Sequence, residues 1–334
     1  MPLKYAHQTP TRGEEIMASQ SSNGNISKNR GVFSIPVTPF NEDGSVDHES
    51  LRRCVAYCVE AGAHGVVMPV NASEGPRLTD EERDEVLRVG VATVGGAVPV
   101  VAGASGISIE HCIERARVAV ECGADSIIAM PANGMGGGQE TIDLYGALWD
   151  ATGLPVWLQN NKPPTGPTIP TPTIIRIIEE IPGARLLKEE SLLPGNVMTA
   201  VLEACGDKVE SIMGGMGGRF LLAEYRRGGA GTMPAGHITE AHVAVWKALE
   251  AGGVDENGQQ VVTDEARALF NRILPSLNFE FFFGVTTYKQ AFWRRGIIKT
   301  PVTRQPGSKP FDRYDGEELD TILDELSDLL TWRG

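Results

Sequence analysis

Short apolar runs alternate with longer amphipathic stretches along the chain from residue 31 onwards. The short runs are rich in β-branched residues and too brief for helices, which is typical of buried strands. The longer stretches repeat apolar residues at helical spacing. The predicted strands are Val32–Val37, Gly65–Met68, Val98–Val101, Ser126–Met130, Val156–Leu158, Arg185–Leu187, Glu210–Met213 and Gly231–Met233, and the predicted helices lie near 50–61, 79–94, 108–121, 140–152, 171–181, 194–205, 218–227 and 239–251.

Eight strand–helix units in succession indicate parallel strands joined by helical crossovers. We predict a closed (β/α)8 TIM barrel, because eight regular units fit it better than the alternative, an open doubly wound sheet. Further helical patterns, near 262–274, 284–296 and 316–331, follow a Gly/Asp/Asn-rich break after residue 252. The predicted organisation is a flexible tail over 1–30, the barrel over 31–252 and a helical extension over 253–334 that packs on the barrel.

Composition and charge narrow the class of protein. The chain of 334 residues is 41% hydrophobic, which suffices for a large core, and contains no apolar run of the roughly 20 residues that span a membrane. Residues 1–30 lack the apolar segment of a secretory signal. The net charge of −13 argues against nucleic acid or an anionic membrane as partner, but a locally positive pocket is still compatible with a small anionic substrate.

The five cysteines indicate buried thiols in a reducing, cytoplasmic compartment. Cys54 and Cys58 have the i, i+4 spacing that two metal ligands on a helix could use. No Cys-x-x-Cys pair occurs, and the two cysteines alone do not make a metal-binding motif. We therefore expect no metal site.

Lys188 directly follows the predicted strand Arg185–Leu187. In a barrel of this type, the residues at the carboxyl ends of the strands form the active site. A partly desolvated lysine loses its proton more readily and can then attack a carbonyl carbon. The alternative is a strand-end lysine that simply reaches solvent.

The loops after the other strands are rich in small, amide and hydroxyl side chains. Such residues can bind the hydroxyls and carboxylate of a polyhydroxylated oxo acid without adding a strong base. Two alternatives remain open: the same composition is ordinary turn chemistry, and the Gly214–Gly218 loop could instead hold a phosphate. The segments are 69–75, 131–134, 159–166, 214–218 and 234–237.

Several motifs resemble the dihydrodipicolinate synthase/N-acetylneuraminate lyase family, in order and over roughly residues 31–300. They include Val37-Thr38-Pro39-Phe40, Leu78-Thr79-Asp80-Glu81-Glu82-Arg83, Thr165-Gly166 and Lys188-Glu189. The resemblance implies that Lys188 forms a Schiff base with the ketone of a 2-oxo acid. It also implies that no cofactor is needed and that the protein is a homo-oligomer, a dimer or a tetramer.

The chain departs from the family pattern where the family carries its proton relay. The resemblance puts Gln159 and Asn133 at the two tyrosine positions, Asn71 at the relay threonine and Pro164 at a carboxylate-binding arginine. A neutral amide does not transfer protons as a phenol does, so Gln159 and Asn133 are expected to orient a water or a substrate hydroxyl. Lysine biosynthesis and sialic acid cleavage are therefore not expected.

One branch of the family, the 2-keto-3-deoxy-L-arabinonate dehydratases, resembles this pattern more closely. The shared features are Asn71 to Glu74, Gln159 and Thr287-Tyr288-Lys289-Gln290-Ala291. This implies dehydration of a 2-keto-3-deoxy sugar acid, with an aldolase, an imine deaminase or a non-catalytic sensor as alternatives. The predicted catalytic residues are Lys188, Gln159 and Ser73, and the predicted substrate-binding residues are Asn71, Ala72, Ser73, Asn133, Gly214 and Met233.

Overall fold

A computed structural model of the chain describes residues 29–304 and 310–332. The predicted tail, residues 1–30, lies outside the described residues except for Asn29 and Arg30. Among the helices of the described part, none combines the length and apolar character needed to cross a membrane.

Eight parallel strands form a closed barrel in which each strand pairs with the next along the chain. The barrel closes where β1 pairs with β8, with Gly31 opposite Gly231 and Val32 opposite Thr232. The predicted (β/α)8 fold is confirmed. The strands are β1 Gly31–Ser34, β2 Gly65–Met68, β3 Val100–Gly103, β4 Ser126–Ala129, β5 Val156–Asn160, β6 Leu186–Glu189, β7 Ser211–Gly214 and β8 Gly231–Thr232.

A helix follows each strand, and local sequence signals fix several helix ends. Thr79 accepts a hydrogen bond from Glu82 N while the Glu82 side chain accepts one from Thr79 N, which satisfies two amides at the start of a helix. Gly95, in the left-handed conformation, ends the same helix. The barrel helices are α1 His48–Glu60, α2 Asp80–Val94, α3 Ile109–Cys122, α4 Gln139–Thr152, α5 Thr171–Glu180, α6 Pro194–Cys205, α7 Leu221–Tyr225 and α8 Thr239–Glu250.

Helix α7 is shorter than the predicted segment 218–227. The residues before it form a tight turn, Met216–Gly218, in which Gly217 has a φ of 70°. That conformation is unfavourable inside a helix, so α7 begins only after it.

Apolar side chains fill the interior of the barrel below the carboxyl ends of the strands. Because alternate residues of a strand point inward, one set of residues from seven strands forms a packed plug. Trp157 is its largest member, and its indole N–H donates to Ser126 Oγ at 3.2 Å. The plug consists of Phe33, Ile35, Val67, Val101, Ile128, Trp157, Leu186, Met213 and Met233. Any ligand must therefore bind above this layer.

Three further helices form the C-terminal extension: α9 Asp264–Phe283, α10 Val285–Arg294 and α11 Arg313–Glu325. Helix α9 runs well past the predicted end at residue 274 and contains Pro275. A proline removes one backbone hydrogen bond, but buried side chains on both sides of it, Ile273 and Leu277, hold the helix against the barrel. The last turns of α9 therefore lie over the carboxyl ends of the strands.

The sixth strand also runs further than predicted, from Leu186 to Glu189 instead of ending at Leu187. Lys188 is thus part of the sheet, opposite Gln159 on β5 and Met213 on β7. Regular pairing on both sides fixes its backbone, so the direction of its side chain is set by the barrel.

Candidate active site

A cavity of about 920 Å³ opens at the carboxyl ends of the strands. The loops after β2, β4 and β5 form part of its wall, and the junction between α9 and α10 covers one side. Its volume lies in the range of small-molecule sites. Six of the eight predicted site residues line it: Asn71, Ala72, Asn133, Gln159, Lys188 and Met233.

Lys188 lies at the floor of this cavity and is only 3% exposed. Its side chain shares the inner face of β6 with Leu186, which belongs to the apolar plug. Its Nζ lies 3.3 Å from Glu190 Oε2. A lysine so enclosed has one carboxylate within reach to accept its proton.

Glu190 is a functional candidate that the sequence analysis missed. Its Oε2 accepts hydrogen bonds from Gln159 Nε2 at 2.8 Å and Asn161 Nδ2 at 3.2 Å, and its Oε1 accepts one from Met216 N at 3.1 Å. Gln159, predicted to orient a water, therefore donates its amide to Glu190. The alternation of side chains along β6 could have revealed this residue, because positions 188 and 190 fall on one face.

Glu189, between these two residues, faces the other way. Its carboxylate accepts hydrogen bonds from Asn160 Nδ2 at 2.8 Å and from Ser191 N at 2.7 Å. Burial raises the pKa of Glu189, against the opposing effect of these donors. We infer that Glu189 braces the ends of β5 and β6 and does not contact substrate.

Ser73 does not reach the cavity, although it was predicted as a catalytic and binding residue. It is fully buried in the turn Asn71–Ser73, where its hydroxyl accepts a hydrogen bond from Val70 N and its amide donates to Val70 O. Thr38 donates to the Ser73 carbonyl at 2.7 Å. The hydroxyl thus closes the turn, which leaves Asn71 and Ala72 as the residues that face the cavity.

Gly214 was also predicted to bind substrate, and it too lies outside the lining of the cavity. It alternates with Met213, which points into the barrel, so position 214 faces the surrounding helices. A Cβ at this position would overlap the carboxylate of Glu224 on α7. Gly214 therefore makes room for a buried carboxylate behind the sheet.

The loop after β2 is braced from the C-terminal part of the chain. Glu74, in the left-handed conformation with a φ of 56°, lies 2.6 Å from Lys289 Nζ and accepts a hydrogen bond from Arg304 N at 2.7 Å. Lys289 also donates to Val302 O at 2.7 Å. These contacts hold the turn that carries Asn71 and Ala72.

The extension contributes an acidic and an aromatic side chain to the cavity. Glu280 and Tyr288, from α9 and α10, both line it. His237, fully buried beneath them, has its Nε2 3.7 Å from Glu280 Oε2. Burial raises the pKa of Glu280 to about 8 and lowers that of His237 to about 3, so near pH 7 they are a neutral pair and not an ion pair.

Several cationic side chains occur around the cavity despite the acidic composition of the chain. Arg83, Lys162 and Arg219 line it in addition to Lys188. They favour an anionic ligand. Within residues 29–304 and 310–332, no cluster of three or more His, Cys, Asp or Glu side chains is placed to hold a metal ion. Cys54 and Cys58 are buried, and burial raises the pKa of the Cys58 thiol to about 12.

The sequence and the fold were both compared with those of known proteins. A sequence model described as the dihydrodipicolinate synthetase family matches residues 28–325. The chain is 28% identical to an L-2-keto-3-deoxyarabonate dehydratase of Azospirillum brasilense, over 84% of this chain and 89% of that protein. It is also 28% identical to a 4-hydroxy-tetrahydrodipicolinate synthase of Chlorobaculum parvum, over 70% and 78% respectively. A crystal structure of dihydrodipicolinate synthase from Rhodopseudomonas palustris superimposes with a TM-score of 0.80 at 25% identity, covering 91% of this chain and 100% of that one.

Proposed function

The chain belongs to the dihydrodipicolinate synthetase family of lyases, and from that membership we propose that it dehydrates a 2-keto-3-deoxy sugar acid through a Schiff base on Lys188. The observation that carries the proposal is the buried pair of Lys188 and Glu190, whose reactive atoms lie 3.3 Å apart at the floor of the cavity. The substrate resembles 2-keto-3-deoxy-L-arabinonate. No cofactor takes part in the proposed reaction.

Formation of the Schiff base requires an uncharged amine. In the proposed reaction Glu190 takes a proton from the Lys188 ammonium, and the freed electron pair attacks the C2 carbonyl carbon of the substrate. The hydroxyl of the carbinolamine then takes this proton back from Glu190 and leaves as water, which gives a protonated imine and an ionised Glu190. Glu190 is held in place by Gln159, Asn161 and the Met216 amide, so it can serve this exchange without moving.

The protonated imine draws electrons from the neighbouring carbon. A base removes a proton from C3, and the C–H electrons form an enamine whose charge is neutralised by the imine nitrogen. Glu190 is our candidate for this base, because it is the carboxylate next to the Lys188 nitrogen. Gln159 and Asn133, at the positions of the missing tyrosines, are assigned to orienting Glu190 and a substrate hydroxyl respectively.

The carboxylate of the substrate needs donors at the other end of the cavity. We assign it to the first turn after β2, where Asn71 and Ala72 face the cavity. Amides at the start of a helical turn lack partners inside the turn and suit an anion. The Glu74–Lys289 contact holds this turn from behind. Met233, from the apolar plug, would contact the carbon chain of the substrate.

Dehydration is favoured over carbon–carbon cleavage by the likeness to the Azospirillum brasilense dehydratase, which extends over most of both chains. The second candidate is an aldolase that releases or condenses pyruvate, because the same enamine intermediate serves both reactions. The similarity to a 4-hydroxy-tetrahydrodipicolinate synthase supports this second reading.

Borohydride reduction in the presence of pyruvate tests the Schiff base. We expect a covalent adduct on Lys188, located by peptide mass spectrometry, and its loss in K188M. The matched control is K162M, because Lys162 lines the same cavity but lies in the loop after β5. Absence of an adduct with pyruvate and with every 2-keto-3-deoxy acid tried would favour a sensor or scaffold.

The released product separates the two candidate reactions. Incubation with 2-keto-3-deoxy-L-arabinonate should give a deoxygenated 2-oxo acid that retains all five carbons. Release of pyruvate would instead identify an aldolase.

We also propose that the protein is cytoplasmic, from its free cysteines, and that it assembles as a homodimer or homotetramer, as the family resemblance implies. Light scattering on the purified chain measures the assembly. A monomeric mass would contradict this proposal without affecting the Schiff-base chemistry.

A further inference from the structure

The carboxyl group of Glu280 lies in the wall of the cavity, and one of its two oxygens is buried without a hydrogen-bond partner among the described residues. The residue is 4% exposed, and its Oε2 has no partner among the described residues. The absence of a side chain at Gly217 gives it room, since a Cβ there would overlap Glu280 Oε1. An unpartnered buried carboxyl is unfavourable for folding alone, so its position at a ligand cavity points to a role with the ligand.

The surroundings of Glu280 keep its proton in place. Burial is the largest effect and raises the pKa of Glu280 to about 8, while the nearby Arg219 guanidinium opposes the rise. The neighbouring His237 does not supply a positive charge, because burial lowers its pKa to about 3. A carboxylic acid that stays protonated near pH 7 can donate a proton to a leaving group.

Tyr288 lines the same cavity as this acid and the Lys188–Glu190 pair. Burial raises the pKa of the Tyr288 phenol well above its ordinary value, and the charges of Glu280 and Glu190 add to the rise, so the phenol is in electrostatic range of both. Its ring packs on His237, with ring centroids 5.1 Å apart. Tyr288 is the one tyrosine that lines the cavity within the described part of the chain. A phenol here is neutral and can hydrogen-bond a substrate hydroxyl.

We propose that Glu280 is the general acid that protonates the leaving C4 hydroxyl of the substrate, with Tyr288 orienting that hydroxyl. This inference rests on the function proposed above and supplies its missing proton donor. The enamine formed at Lys188 pushes its electrons toward C3, a C3=C4 double bond forms, and the C4–O bond breaks. The departing oxygen takes the Glu280 proton and leaves as water. A conjugated imine remains on Lys188, water hydrolyses it, and Glu280 regains a proton from solvent.

Glu280→Gln tests the proposal, with Glu224→Gln as the matched control. Glu224 is also a buried acid with an unpartnered Oε2 and a pKa raised by burial to about 8, but it does not line the cavity. Two reactions are compared in each variant. One is exchange of the pyruvate methyl protons in D₂O, followed by NMR, which needs the enamine but no leaving group. The other is dehydration of 2-keto-3-deoxy-L-arabinonate.

We expect E280Q to keep methyl exchange within about threefold of the wild type and to lose dehydration by about 100-fold or more, the usual contribution of a general acid. E224Q should retain both. A 4-deoxy-4-fluoro analogue sharpens the comparison, because fluoride leaves without needing a proton. E280Q should therefore lose much less activity on the fluoro substrate than on the hydroxy substrate.

The possible results distinguish the general-acid role of Glu280 from the Schiff-base function on which it rests. Dehydration by E280Q within about threefold of the wild type, or parallel loss of exchange and dehydration, overturns the role of Glu280 and leaves the Schiff base standing. Failure of the wild type to exchange pyruvate protons or to trap an imine overturns both. If E280Q does not fold, the pH dependence of the wild-type enzyme tests the proposal instead. Its dehydration rate must fall above about pH 8, where Glu280 loses its proton, while methyl exchange must not; the same fall in both overturns the proposal.

Discussion

Removal of the Lys289 charge should destabilise the protein strongly, because Lys289 and Glu74 form a fully enclosed ion pair. The Lys289 Nζ and Glu74 Oε1 lie 2.6 Å apart, and the two side chains are 0% and 1% exposed. The variant K289M keeps the length of the side chain but leaves the Glu74 carboxylate buried without its cation. Breaking a buried pair in this way costs about 3–5 kcal/mol of unfolding free energy.

The two halves of the pair are not equivalent. Burial lowers the pKa of Lys289 to about 8 even though Glu74 raises it, so desolvation outweighs the attraction. In E74Q the pKa of Lys289 should fall further, because Glu74 no longer raises it, so the lysine can lose its charge while it still contacts Val302 O and the Phe40 ring. We therefore expect E74Q to be less destabilising than K289M. The double variant should be less destabilising than the sum of the two, with a coupling of about 1–3 kcal/mol.

Urea unfolding, followed by circular dichroism and tryptophan fluorescence together, measures this cycle. K299M is the control, because Lys299 pairs with Glu49 at the exposed surface and should change stability little. The KM for the 2-oxo acid should also rise in K289M, since Glu74 supports the turn that faces the cavity. Destabilisation by K289M of under about 1 kcal/mol, or strict additivity in the double variant, would refute the reasoning.

Three further predictions concern the acids around the cavity. Glu190→Gln should slow trapping of the imine by about 100-fold or more, measured by mass spectrometry after timed borohydride quenching; trapping at the wild-type rate would exclude Glu190 as the proton acceptor. Burial raises the pKa of Glu224 to about 8, so between about pH 4.5 and pH 8 the folded state keeps a proton that the unfolded state has lost. The contribution of this proton to the free energy of unfolding is therefore complete below about pH 4.5 and is lost as the pH rises through 8. E224Q should remove that loss in unfolding measured at pH 5 and pH 8, and an unchanged difference would contradict it. Gly217→Ala should displace the Glu280 side chain, and so reduce dehydration but not methyl exchange in the NMR assay. The control is Gly253→Ala, at a positive φ with open space around it, which should change neither reaction. Equal effects of the two substitutions would show that backbone strain alone is responsible.

The fold could be predicted from the sequence, because eight short buried runs at regular spacing are compatible with few chain topologies. The same regularity located Lys188, since the end of a barrel strand is a fixed place in space. The direction in which a side chain points from a turn could not be predicted from the sequence. Ser73 has a hydroxyl in the expected loop, but whether it faces the cavity or closes its own turn depends on backbone angles that the sequence does not specify.

Glu280 and Tyr288 were missed for a different reason. Glu280 lies beyond the predicted helix end at residue 274, and Tyr288 was noted only as part of a motif shared with one branch of the family. Nothing in the local pattern distinguishes Glu280 from an exposed helical glutamate. Only the packing of α9 over the barrel, past Pro275, brings it to the cavity.

The carboxyl groups of Glu190 and Glu280 lie in unlike surroundings, so one can accept a proton and the other can donate one. The side-chain amides of the cavity can do neither near pH 7. Glu190 accepts hydrogen bonds from Gln159, Asn161 and the Met216 amide and lies beside the Lys188 nitrogen, which suits a group that receives protons. Glu280 Oε2 accepts no hydrogen bond from the described residues, and burial raises its pKa to about 8, which suits a group that gives a proton. The family resemblance puts Gln159 and Asn133 at the positions of two relay tyrosines, and Glu190 and Glu280 are the base and the acid that we propose in their place. It follows that restoring a tyrosine at 159 alone should not restore synthase chemistry, because it would displace the donor that holds Glu190.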